Sequence, residues 1–311
     1  MKQATVAIIV FTLVLSTVGG APRAATEHPS TIVFNFKQSQ EHLGSGASLS
    51  PDSTKIVFVG ADNALHIVDI ASHQDRQVLR SVGPGLDVFD NPAFSPDGKR
   101  LVFSASGGTK YYQSNIYTVR LDGTGLLQLT RAEPAQGESK EGFSEYFYTP
   151  RYSPDGSQIL AWRYDGILGT DSAVTMSSSG AGLRVLTSGQ PLFWDNAGQA
   201  VFVARRQQQG TIYEYDLVSG ATKPIQGLDE RPLGRLLDTN TFVVPQNGQL
   251  DLMTVEQATA RSTQMLPLAS TIPSDESNMT LVQVSSDQSD TYLLLRYENE
   301  SREVLQIVRI R

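Results

Sequence analysis

One short turn recurs along this chain, and it constrains the fold more than any other feature. It reads Ser95-Pro96-Asp97-Gly98 and Ser153-Pro154-Asp155-Gly156, with a near copy at Ser50-Pro51-Asp52-Ser53 and a looser one at Asp195-Asn196-Ala197-Gly198. A type I turn accepts Ser or Asp first, Pro second and Gly fourth, so the residues have a mechanical reason to stand in this order. An apolar strand begins two residues after each copy, as in "PAFSPDGKRLVFSA" and "PRYSPDGSQILAWR". Weaker copies turn at Asp238-Thr239-Asn240 and Ser285-Ser286-Asp287. The structural part of the motif is therefore assigned to Ser50, Pro51, Asp52, Ser95, Pro96, Asp97, Gly98, Ser153, Pro154, Asp155, Gly156, Asp195 and Gly198.

The turns start at 50, 95, 153, 195, 238 and 285, a period of about 45 residues with several short strands in each. That spacing predicts propeller blades. In the second period the strands are expected at Pro92–Ser95, Arg100–Ala105, Asn115–Leu121 and Leu126–Thr130, with Asp122-Gly123 turning the last hairpin. The last period offers three strands, Leu281–Val284, Tyr292–Tyr297 and Val304–Ile310, while Thr31–Phe36 stands alone ahead of the first. The expected fold is all-β: a six-bladed β-propeller of four-stranded antiparallel blades. Its ring is closed by the N-terminal strand beside Val304–Ile310, which removes an open sheet edge.

Residues 1–25 read as a signal peptide and 26–311 as one propeller domain. Met1-Lys2 is followed by the apolar run Val6–Val18 and then by small residues, and the run is shorter than the ~20 residues that span a bilayer. Export to the periplasm or outside the cell is expected, with no membrane span after cleavage; a retained N-terminal membrane anchor is the alternative. The 311 residues carry 25 basic and 32 acidic side chains, a charge of −7, and cleavage removes Lys2 and Arg23 as well. Such a surface has no electrostatic footprint for nucleic acid. The absence of cysteine excludes disulfides, thiolate catalysis and cysteine-held metals.

The unit of aromatic or apolar residue, Ser-Pro-Asp-Gly, two residues and an apolar strand resembles the WD-like repeat of TolB-like propellers. The best copies are "AFSPDGKRLVFSA" and "RYSPDGSQILAWR", and the resemblance is good from residue 47 to about residue 204. The propellers of prolyl-oligopeptidase-type peptidases carry the same repeat, so it marks an architecture and not a task. TolB-like proteins carry an α/β domain ahead of the propeller, and those peptidases an α/β-hydrolase domain after it. Here the first repeat begins at Ala47 and no G-x-S-x-G elbow occurs, so a stand-alone propeller is expected.

Candidate binding residues lie away from the turn. The longest connection, Arg131–Thr149, mixes acids with aromatics, including Glu141, Phe143, Glu145, Tyr146 and Tyr148, and Arg151 follows it. Long connections in compact domains often bind, and aromatics beside acids suit a protein or sugar contact; a solvated insertion covering a blade edge is the bland alternative. The corresponding approach to the second turn supplies Asp87, Asp90 and Asn91, which together with Glu145 make an oxygen-rich set fit for calcium. His28, His42, His66 and His73 show no ligand spacing, and His66 reads as an ordinary strand residue. No catalytic residue, resident metal or organic cofactor is assigned. Two functions remain open: a monomeric, non-catalytic module binding an envelope or extracellular protein, peptide or small ligand at the channel mouth, or a calcium- or metal-dependent enzyme such as a lactonase, phytase-like hydrolase or sugar dehydrogenase.

Overall fold

A computed structural model describes residues 30–39, 46–60, 62–83, 88–107, 113–132, 145–166, 168–195, 197–204, 211–228, 234–235, 241–246, 249–256, 259–266, 278–286, 291–299 and 302–310. Among them there are strands and turns and no helix. After β1 (Ser30–Ser39), the first repeat is an antiparallel sheet of β2 (Ala47–Leu49), β3 (Lys55–Val59), β4 (Leu65–Asp69) and β5 (Asp75–Leu79) in chain order. The second contains β6 (Val88–Phe94), β7 (Arg100–Gly107), β8 (Gln113–Arg120) and β9 (Leu127–Gln128); the third contains β10 (Glu145–Tyr152), β11 (Gln158–Asp165), β12 (Thr170–Ser177) and β13 (Arg184–Ser188). One parallel rung, Tyr146 opposite Ser114, joins these two repeats into an eight-stranded sheet.

The fourth repeat holds β14 (Gln190–Trp194), β15 (Ala200–Ala204), β16 (Ile212–Asp216) and β17 (Thr222–Ile225). The fifth holds β18 (Gly234–Arg235), β19 (Thr241–Gln246), β20 (Gln249–Glu256) and β21 (Thr259–Leu266). The final sheet contains β22 (Asn278–Ser286), β23 (Thr291–Asn299), β24 (Arg302–Ile310) and, antiparallel to β24, β1. The turns at Asp238–Asn240, the residue Asp287 and the segment 1–29 lie outside the described residues.

The recurrent turn is a hydrogen-bonded unit. In the third repeat Ser153 Oγ donates to Asp155 Oδ1 at 2.6 Å and accepts from Gln158 N at 2.9 Å, while Gly156 N donates to Ser153 O at 2.9 Å. Ser95, Asp97, Gly98 and Arg100 repeat this pattern, and so do Ser50, Asp52, Ser53 and Lys55. At the fourth turn Asp195 combines both roles, its carboxylate accepting from Gln199 N and its carbonyl from Gly198 N. The fourth turn residue is left-handed in each copy: φ is +66° at Gly98, +74° at Gly156 and +67° at Gly198, and Ser53 takes +55° in the first. Successive turns also touch. Pro51 Cδ lies 4.0 Å from the Cβ position of Gly98, Pro96 Cδ 3.5 Å from that of Gly156, and Pro154 Cδ 3.4 Å from that of Gly198.

The core is laid down between repeats. Val57, Val59, Leu65 and Ile67 of the first pack against Phe89, Leu101, Phe103 and Val119 of the second. On its other face the second repeat gives Ala93, Val102 and Ile116 to the third, which answers with Phe147, Ile159, Ala161 and Val174. Strands buried on both faces read as unbroken apolar runs, which explains "KIVFV" in β3 and "RLVFSA" in β7.

β10 begins at Glu145, so the last part of the connection expected through Thr149 is strand. β6 likewise begins at Val88, ahead of the expected Pro92. A β-bulge in each strand, between Asp90 and Ala93 and between Tyr148 and Arg151, carries the ladder across an X-Pro step that the sequence reads as a boundary.

Candidate functional site

The β10–β11 ladder pairs Tyr146 with Tyr164 and Tyr148 with Trp162. Residues opposite one another share a face of a sheet, as do alternate residues along a strand, so these four rings project together. Their centroids are 5.9 Å apart for Tyr146–Tyr148, 6.2 Å for Tyr146–Tyr164, 5.5 Å for Tyr148–Trp162 and 6.4 Å for Trp162–Tyr164. Trp162 Nε1 donates to Asp171 Oδ1 at 2.9 Å, and Asp171 stands opposite Tyr164 on β12. All five side chains are part-buried. The strip lies at the end of the third repeat away from its Ser-Pro-Asp-Gly turn, because β10 runs toward that turn and β11 away from it.

This face turns toward the fourth repeat. Leu160 and Ala173 on it pack with Trp194 and Val203, and Trp194 Nε1 donates to Arg151 O at 3.2 Å. The other face of β10 faces the second repeat. There Phe147 is buried, Ser114 Oγ donates to Phe147 O at 2.8 Å, and Arg163 Nε donates to Glu145 Oε1. The start of the long connection is held as well: Asn115 Oδ1 accepts from Ala132 N at 2.7 Å and from Thr130 Oγ1 at 3.1 Å. The aromatic strip therefore rests on a strand pinned from both sides.

The bulge beneath the strip is strained. Thr149 takes φ +49°, a conformation unfavourable for a β-branched residue, and its Oγ1 is buried with no partner among the described residues. Asn91 occupies the same place in the second repeat with φ +51°. Gly46 occupies it in the first, so close to its neighbour that a Cβ would stand 2.9 Å from Asn91 Cα. Two residues beyond Thr149, Arg151 lies opposite Leu160 and shares the face of the aromatic strip. It is part-buried, and burial pushes its guanidinium pKa below the usual arginine value.

The structure brings together three of the residues singled out from sequence, Tyr146, Tyr148 and Arg151, on one face of β10. Glu145 points to the opposite face, where Arg163 engages it, and Asp90 and Asn91 sit in the bulged strand of the second repeat. Asp87, Glu141 and Phe143 lie outside the described residues. Trp162, Tyr164 and Asp171 were not singled out. Their signal was the alternation Trp162-x-Tyr164, matching Tyr146-x-Tyr148 on the strand before it. No three His, Asp or Glu side chains converge as a metal-binding group among the described residues.

His66 is more than a plain strand residue. Its Nδ1 lies 3.0 Å from Asp75 Oδ1, its Nε2 3.0 Å from Asp62 Oδ1, and its ring stacks on Phe58 at 5.5 Å. Burial opposes the imidazolium, but the Asp75 hydrogen bond and the charges of Asp75 and Asp62 outweigh it, so its pKa rises above the ordinary histidine value.

No family model matches the sequence, and neither does any curated protein. Solved structures do resemble the fold. An oligogalacturonate lyase in complex with manganese aligns at a TM-score of 0.56 with 13% identity, over 86% of this chain and 76% of that one. A Mycobacterium tuberculosis puromycin-hydrolyzing peptidase aligns at 0.51 with 17% identity, over 78% of this chain and 39% of that one. TolB from Acinetobacter baumannii aligns at 0.47 with 16% identity and covers 86% of this chain, which spans about half of that protein's length, 54%. At these identities the likeness to the lyase and the peptidase speaks to fold alone. The chain has an all-β fold of successive four-stranded antiparallel sheets, with an aromatic strip at the edge of its third repeat.

Proposed function

We propose that this chain is an exported, monomeric, non-catalytic propeller of six blades whose ring is closed by β1, and that it binds a partner protein or peptide through the aromatic strip of its third blade. The ring reading is supported by the repeated four-stranded sheets, by the pairing of β1 with β24, and by the packing of β2 beside both β6 and β22. The binding reading rests on one observation, the four part-buried rings of Tyr146, Tyr148, Trp162 and Tyr164 gathered on one pinned face. Tyrosine and tryptophan give large, rigid contact area at small entropic cost, which is why they dominate binding hot spots. Export is supported by the sequence of residues 1–25.

The test is site-specific photocrosslinking in the cell envelope. A photoreactive residue at Tyr148 should capture a discrete partner, one at Asp97 in the opposite-end turn should not, and Trp162→Ala should abolish capture at Tyr148. A stoichiometric bound metal together with metal-dependent turnover of a lactone, phosphate ester or sugar would overturn the non-catalytic reading.

A further inference from the structure

Arg151 sits where a cation should have a counter-charge, and none is present among the described residues. Its guanidinium makes no hydrogen bond or ion pair to them, and burial holds its pKa below the usual arginine value. Arginine stays charged in proteins, and an uncompensated charge under desolvation is costly, so a fold that keeps one there has a use for it. Thr149 Oγ1, in the same bulge, is a second polar group without a partner among those residues. Buried polar atoms that go unsatisfied in a native fold are few, and each calls for a physical reason such as strain, a bound water or ion, or a functional role.

The position of Arg151 defines the ligand further. It stands opposite Leu160, one rung below the Tyr148–Trp162 pair and on the same face. Trp194 of the fourth repeat closes that side, its indole held by the Arg151 carbonyl. The result is a guanidinium at the foot of a two-column aromatic strip, in the seam between the third and fourth repeats.

We infer that Arg151 is an anion-recognising residue, seating a carboxylate of the ligand whose planar or apolar body lies on Tyr148 and Trp162. A guanidinium presents a planar fork that matches a carboxylate with two parallel N–H···O bonds, and a low-dielectric setting strengthens them. This inference rests on the binding reading above and adds the chemistry of what is bound. The carboxylate comes either from a peptide or from a free sugar acid.

The experiment uses the full chain, and isothermal titration calorimetry reads binding. The probes are N-acetyltyrosine, N-acetyltyrosinamide and glucuronate. N-acetyltyrosine is expected to bind saturably and about tenfold or more tighter than its amide, the loss of one charge-assisted pair. Arg151→Met should abolish that preference, and Arg151→Lys should restore part of it. Stronger binding of glucuronate than of N-acetyltyrosine supports the anion site and assigns the carboxylate to a saccharide. Equal binding of acid and amide, or an acid preference kept in a folded Arg151→Met protein, overturns the inference. The thermal midpoint of Arg151→Met supplies the folding control and is expected to be equal or higher, since removing an unpaired, desolvated charge relieves a cost. If Trp162→Ala abolishes partner capture while Arg151→Met leaves it intact, the binding reading stands and the carboxylate falls; if neither variant matters, the binding reading falls too.

Discussion

Pro96 of one turn packs against Gly156 of the next, its Cδ 3.5 Å from the place a Cβ would occupy. Pro51 meets Gly98 and Pro154 meets Gly198 in the same way. The motif thus acts twice. Within a repeat, Ser, Asp and Gly close the turn; between repeats, the Pro of one copy lies against the Gly of the next. The first copy breaks the pattern at Ser53, which holds φ +55° without glycine's freedom.

Ser53→Gly should therefore stabilise the protein by about 0.5–1 kcal/mol, the left-handed strain relieved less the entropy glycine loses on folding. Gly156→Ala should destabilise it by about 1–2 kcal/mol, because alanine must take the same left-handed backbone. Urea midpoints at neutral pH measure both, and equal shifts of the same sign would contradict the argument.

Asp155 carries the acid response of its turn. Hydrogen bonds from Ser153 Oγ, Ser157 N and Ser157 Oγ lower its pKa to about 2. A depressed carboxylate contributes stability that is fully present above its unfolded pKa, about 4, and is lost as pH falls through the folded value. The folded protein should weaken between roughly pH 4 and pH 2, a window set by those two values. Asp155→Asn should be less stable at pH 7 and show a shallower fall across the window. Asp97 and Asp52 shift in the same direction and account for part of the remaining slope.

His66 should give the opposite slope. With Asp62 and Asp75 at its two ring nitrogens, its folded pKa is raised. Its contribution is complete below the unfolded value, about 6.5, and disappears as pH rises through the higher folded value. The thermal midpoint should fall as pH is raised above about 6.5. His66→Gln should flatten that region, and an unchanged slope in the variant would remove His66 as its cause.

Trp162→Ala should weaken partner binding by about thirtyfold or more, the scale of a central aromatic hot spot of at least 2 kcal/mol. Phe103→Ala, in the core between the first two repeats, should instead cost about 3–5 kcal/mol of stability. Affinity and unfolding measured on both variants separate a binding residue from a packing one.

The repeat and its strands were legible because each Ser-Pro-Asp-Gly copy uses local chemistry: a hydroxyl, a carboxylate and a left-handed residue within a few positions. β7, β11 and β15 begin where the turn predicts, at Arg100, Gln158 and Ala200. The site was only half legible. Tyr146, Tyr148 and Arg151 could be named, but their alignment with Trp162 and Tyr164 depends on the β10–β11 register. That register depends in turn on a bulge in which Thr149 turns left-handed just before Pro150. A β-branched residue ahead of proline is expected to be extended, so local propensity pointed the other way and tertiary packing decided. The Asp62–His66–Asp75 cluster was hidden for a similar reason, since His66 and Asp75 meet across neighbouring strands.

The pairing of β1 with β24 has a mechanical consequence. Because the two strands run antiparallel, Ser30 lies opposite Ile310, and Ser39 opposite Arg302. A pull applied at Ser30 and Ile310 therefore meets the ladder at one end and opens it rung by rung, like a zipper. The same strands loaded in shear would share the force over every hydrogen bond at once. Tension between those two points should peel β1 away at low force, before the load reaches the close-packed seams between the inner repeats.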